Sequence, residues 1–137
     1  MRKSTIVLVL AVCLVALFAV TAGPASACTY FGWYSPGYYA NHDWPVASVY
    51  VAGIWYDQAD VQPLLLTPTR DKTYTMFKAV VTARLNDQAS TYPKIDAGEA
   101  WLFAHPLGSG VTGNMDAWSG SGHGEAICNA LMATFIW

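Results

Sequence analysis

Basic residues are scarce in this chain of 137 residues. Only seven Lys and Arg occur, and two of them, Arg2 and Lys3, sit ahead of an apolar run. What remains downstream is Arg70, Lys72, Lys78, Arg84 and Lys94 against nine acidic residues, a net charge of −4. A body of that sign argues against nucleic acid as a partner, because phosphate backbones are held by clustered cations. Beyond Val20 no apolar run approaches the ~18 residues that a membrane span requires. Phosphate and metal motifs are missing too. The stretch 108–124 holds six glycines and neither Lys nor Arg, which excludes a G-x-x-x-x-G-K-[ST] loop. Within it, Gly120-Ser121-Gly122-His123-Gly124 follows no strand signal and lacks the spacing of a dinucleotide fingerprint. His42, His105 and His123, even with Asp43 and Glu125 counted, show no H-E-x-x-H pattern, so no metal or cofactor is expected. No G-x-S-x-G elbow supports a Ser-His-Asp hydrolase. Asp96 and Glu99, one turn apart, read as a solvated helix face before they read as an acid/base pair.

The first thing present is a leader. Arg2 and Lys3 precede fifteen uninterrupted apolar residues, Ile6 to Val20, followed by Gly23-Pro24 and Ala25-Ser26-Ala27. A charged start, an apolar centre and an A-x-A site define a secretory signal peptide over 1–27. The expected product is a single secreted domain, 28–137, of 110 residues, enough for one hydrophobic core and too short for two. Of three cysteines, Cys13 lies in the leader, leaving Cys28 and Cys128. Two cysteines in an oxidising compartment usually pair. A Cys28–Cys128 bridge closes a loop of about 100 residues, for which chain entropy gives roughly 4.7 kcal/mol. The competing reading is a lipid on Cys28, which follows a small residue as a lipoprotein cysteine does. Ala25, where lipoprotein signals prefer Leu, favours the free chain. The expected location is extracellular or periplasmic, with a lipid anchor at Cys28 as the alternative.

Aromatic residues crowd the stretch 28–56: Tyr30, Phe31, Trp33, Tyr34, Tyr38 and Tyr39, then Trp44, Tyr50, Trp55 and Tyr56. Pro36, Gly37 and Pro45 punctuate it, so it reads as turns and short extended pieces, with a strand or hairpin over Ser48 to Tyr56 broken at Gly53. Helical signals follow. Asp60 is a candidate cap for a helix from Val61 to Leu66 ended by Thr67-Pro68. Asp71 caps a longer one to Asn86, whose Tyr74, Phe77, Val81 and Leu85 make one apolar stripe. A third covers Lys94 to Ala104, with Pro93 at its start, Pro106 after its end and Gly98 weakening it by about 1 kcal/mol. After the glycine loop a final helix starts at Glu125, with Ile127, Leu131 and Phe135 at i+4 intervals. The expected architecture is mainly α, a small single-domain helical bundle with an aromatic N-terminal segment and a short β-hairpin.

Ser35-Pro36-Gly37-Tyr38-Tyr39-Ala40-Asn41-His42-Asp43-Trp44-Pro45 after Cys28 resembles an uncharacterised family of small secreted bacterial proteins with an N-terminal C…PG-[YF]-W-K-N-H…W-P motif. Leu64-Leu65-Leu66-Thr67-Pro68, Asp71-Lys72-Thr73-Tyr74, Ala83-Arg84-Leu85-Asn86, Ala97 to Trp101 and Gly108-Ser109-Gly110 continue the likeness in order across nearly the whole secreted chain. The resemblance implies a mostly helical fold and no particular activity. Tyr39 replaces the motif's Trp and Ala40 its Lys, and the spacing between His42 and Trp44 is shortened, so any role of that lysine is absent here. Cys128 stands as the counterpart of the cysteine that such proteins carry near the C-terminus.

The candidate binding residues are Tyr38, Tyr39, His42 and Trp44. His42, pressed between aromatics and Trp44-Pro45, is expected to be a buried pin with a backbone carbonyl or Asp43 as partner, and Trp44 an apolar anchor beneath it. The expected function is a noncatalytic binding or structural module at the cell surface or outside the cell, its ligand a glycan or another cell-envelope component. One alternative is a carbohydrate-binding module that stacks sugars on the N-terminal aromatics; another is a small secreted hydrolase, for which no nucleophile and base are assembled in sequence.

Overall fold

The computed structural model describes residues 33–137. The expected leader, its cleavage site, Cys28, Tyr30 and Phe31 lie outside the described residues. The chain is mainly helical with one two-stranded hairpin. In order, it runs through helix α1 (Pro36–Asn41), strands β1 (Ser48–Val51) and β2 (Ile54–Asp57), helix α2 (Gln58–Leu66) and helix α3 (Lys72–Asn86). A short 3₁₀ turn then leads into α4 (Tyr92–Ala104), a single-turn helix α5 (Asp116–Ser119) and α6 (Gly124–Met132).

Helix α3 is the centre of the molecule. Asp71 caps it as its sequence predicts, Oδ1 accepting from the Thr73 N–H at 2.9 Å and from the Thr73 hydroxyl at 2.7 Å. Ten of its fifteen residues are buried. A helix apolar on most of its circumference belongs inside, with neighbours on several sides, and α4, α6, α1 and the hairpin all pack against it. The stripe read from the sequence was therefore too narrow. Phe77, Val81 and Leu85 are buried as expected, but so are Met76, Val80 and Ala83, whereas Tyr74 is only half-buried.

Gly98 also departs from its sequence reading. A Cβ there would stand 2.7 Å from Val80 Cγ2 and 3.2 Å from Leu131 Cδ1. At this glycine side chains of α3 and α6 press directly on the α4 backbone, and its lost helix propensity is offset by that packing.

The hairpin pairs Ser48 with Asp57 through Val51 with Ile54. Ala52 and Gly53 form its two-residue turn, both at positive φ (47° and 87°), the hand that matches the twist of an antiparallel pair. Val49 and Val51 point into the core. β2 runs directly into α2, so the helix begins at Gln58, three residues before the expected start, with Asp57 at its N-cap and Asp60 in its first turn.

The aromatic stretch holds a helix that sequence punctuation concealed. Pro36 sits at its first position, where a missing N–H costs nothing, and α1 then lasts only to Asn41. Another element, α5, was hidden among the glycines. It buries Trp118 edge-on against Trp101, with centroids 5.6 Å apart. Across the fold, Asn86 at the end of α3 ties down the N-terminal segment. Its Nδ2 donates to the Tyr34 carbonyl at 2.9 Å, and its Oδ1 accepts from the Tyr34 N–H and the Tyr39 hydroxyl, each at 2.9 Å.

Candidate functional site

The four candidates from sequence divide into two pairs. Tyr39 and Trp44 are core residues. The Trp44 indole donates to the Tyr39 carbonyl at 3.0 Å, and Gln62 of α2 donates to the Tyr39 and His42 carbonyls at 3.0 and 2.8 Å, closing off the end of α1. His42 corrects the expectation of a buried pin, for it is exposed. It occupies the C-cap of α1, where the chain turns extended, and its ring folds back one turn onto Tyr38. There it stacks at 4.0 Å and 8°, with Nδ1 2.8 Å from the Tyr38 carbonyl. A backbone carbonyl is thus its partner, as expected, but at the surface. Tyr34 stacks on the other face of Tyr38 at 3.9 Å and 11°, which makes a column of three parallel rings. The buried polar pin expected of His42 is supplied by Asn86.

A cleft lies under the hairpin, where the sequence names no candidate binding residue. Val51, Ile54 and Tyr56 descend from its core-facing side over a cleft of about 410 Å³. Phe77, Leu102, Phe103, Pro106 and Leu107 complete the lining. Ile54 faces inward by register yet is 55% exposed, and Phe103 across from it is 63% exposed. Both border the cleft. Every lining side chain is apolar except that of Tyr56, whose phenol is raised above its ordinary pKa by burial and then by Tyr74, and so stays neutral. On the outer face of the same hairpin the cross-strand partners Tyr50 and Trp55 sit 5.2 Å apart, 44% and 68% exposed. From Trp44 to Tyr56 the chain carries no charged side chain.

Two smaller clefts, of about 190 and 320 Å³, flank Lys78. Its ammonium donates to the Thr67 carbonyl at the end of α2, and burial lowers its pKa. No histidine or carboxylate lines any of these three clefts. His105 lies on Trp101 with Nδ1 3.0 Å from the Trp101 carbonyl, and exposed His123 is a neighbour of Asp116, whose carboxylate is held below its ordinary pKa chiefly by the Ser121 hydroxyl and N–H. Among the described residues no group of three His, Cys, Asp or Glu is placed to hold a metal ion, and no helix is long and apolar enough to cross a membrane. Cys128 is buried with Sγ 3.9 Å from the Thr75 carbonyl, and burial pushes its thiol up to about 11. The sequence carries a signal for the face on which Ile54 lies, though not for the cleft. The Ser48–Tyr56 alternation puts Ile54 on the Val49 and Val51 face once the turn is fixed at Ala52-Gly53, but nothing local says that the space below is unfilled.

No family model matches the chain, and neither the curated proteins nor the solved structures contain a match to it.

Proposed function

We propose that the chain is a noncatalytic binding module of the extracellular or cell-envelope space, and that its recognition surface is the hairpin with the cleft beneath it. The observation that carries this is Ile54: a residue on the buried side of a strand pair that is exposed and lines a cavity of ligand size. Apolar groups left uncovered in a concave site gain free energy on contact with a partner, at roughly 25 cal/mol per Å² removed from water. The leader expected at 1–27 and the family resemblance support the location.

A second reading keeps the same hairpin and uses its other face. Tyr50 and Trp55 offer two exposed rings side by side, the kind of platform on which a sugar ring stacks. The test is a binding panel of soluble cell-wall oligosaccharides and neutral amphiphiles followed by calorimetry, beside turnover assays on ester and glycoside substrates. Binding without turnover is the expected result. Loss of oligosaccharide binding in Trp55→Ser would favour the second reading, and turnover abolished by His123→Ala would reject a noncatalytic module.

A further inference from the structure

The hairpin cleft has a chemistry more specific than apolar. Its volume of about 410 Å³ lies within the range of small-molecule sites, about 300–1,000 Å³. Side chains of the hairpin, of α3 and α4 and of Pro106-Leu107 line it. Charge is excluded: none of the lining residues ionises at neutral pH, and the neighbouring chain from Trp44 to Tyr56 offers no Lys or Arg to an anion and no carboxylate to a cation. A charged group brought here would lose its water without a partner. The one polar side chain of the lining is that of Tyr56, whose hydroxyl both donates and accepts.

We propose that this cleft is a binding site for a neutral amphiphile, a hydrocarbon body carrying a single uncharged hydrogen-bonding group such as an alcohol or ester. The inference rests on the hairpin being the recognition surface and adds the class of ligand. Ile54 and Phe103 form the lips, the ligand's hydrocarbon lies between them and Leu102, and binding covers the two residues that the free protein leaves exposed. The site is set by shape, so a chain longer than the cleft gains nothing from its excess.

The experiment is a calorimetric titration of the purified protein with straight-chain primary alcohols of rising length and with the carboxylates of equal length. Affinity for the alcohols should rise about fourfold per added methylene and then level off when the cleft is full. Carboxylates should bind at least ~10-fold more weakly than the matching alcohols. Ile54→Gln and Phe103→Gln change exposed side chains and should keep the native circular dichroism while weakening the alcohols ~10-fold or more. Trp55→Ser, on the opposite face of the hairpin, should leave them unchanged. Equal affinity for alcohol and carboxylate, a rise with length that never levels off, or full binding in the Ile54→Gln, Phe103→Gln double variant would overturn the proposal. Should alcohols fail while oligosaccharides bind in a Trp55-dependent way, this inference falls and the binding-module reading stands. Binding of neither, or binding that no hairpin substitution alters, removes both. Should either glutamine variant lose its fold, saturable shifts of the Leu102 and Leu107 methyl resonances in the unaltered protein decide: their presence with alcohols supports the site and their absence overturns it.

Discussion

Asn86 shows how one buried amide can organise a terminus. Three hydrogen bonds join it to Tyr34 and Tyr39, and removing the amide takes one hydrogen bond from a buried phenol and one from each of two backbone groups. Asn86→Ala should cost about 1–3 kcal/mol in urea unfolding, which in a domain of this size lowers Tm by roughly 4–8 °C per kcal/mol. His42→Ala, at the surface with only its stack and one backbone contact, should cost less than about 1 kcal/mol. The reverse order would restore His42 as the pin. Asp71 adds a pH dependence. Burial opposes its ionisation, but hydrogen bonds from the Thr73 hydroxyl and from the Thr73, Gly110 and Val111 N–H groups outweigh this and lower its pKa. A carboxyl with a depressed folded pKa contributes its full stabilisation above the ordinary value of about 3.9 and loses it as pH falls through the depressed one. Stability measured from pH 6 to pH 2 should therefore decline less in Asp71→Asn than in the parent, and parallel curves would show that the carboxylate carries none of it.

At the scale of elements, the helices are set by what crosses them. α4 closes on α3 and α6 at Gly98, with no room for a methyl group. Gly98→Ala gains about 1 kcal/mol of helix propensity and meets the stiff Val80 side chain, so a net loss of about 1–3 kcal/mol is expected from overpacking. Unchanged or higher Tm would mean that the helices part without cost. Phe77, buried in α3 and edge-on to Tyr56 at 4.8 Å, is held on both the core and the cleft side. Phe77→Ala should cost about 3–5 kcal/mol by denaturant titration, and a change below ~1 kcal/mol would show that α3 is not the central helix.

For the whole molecule, the expected bridge joins its two ends. The partner of Cys128 by that reading, Cys28, lies outside the described residues, and the Cys128 sulfur is enclosed by α3 and α6. Intact mass spectrometry of the chain expressed with its expected leader should show a terminus at Cys28 and a deficit of two hydrogens. A diacylglyceryl mass would replace the bridge with a lipid anchor. The ends are already close in the described part of the chain. Tyr34 and Ile136 form an isolated parallel bridge, the Ile136 N–H donating to the Trp33 carbonyl.

The helical class, the span of α3 with its Asp71 cap, the hairpin and the stops at Thr67-Pro68 and Pro106 were all legible in the residues, because caps, prolines and periodicity act within a few residues of each other. The sequence could not place α1 or α5, which are too short to show a period and exist because Tyr39 and Trp118 are buried by distant helices. Nor could it separate Tyr39 and Trp44 from Tyr38 and His42, since burial depends on which face of α1 meets α2 and α3. The cleft was invisible for the same reason: Ile54 and Phe103 are far apart in sequence, and only the seating of the hairpin on α2 and α3 brings the two to one cleft.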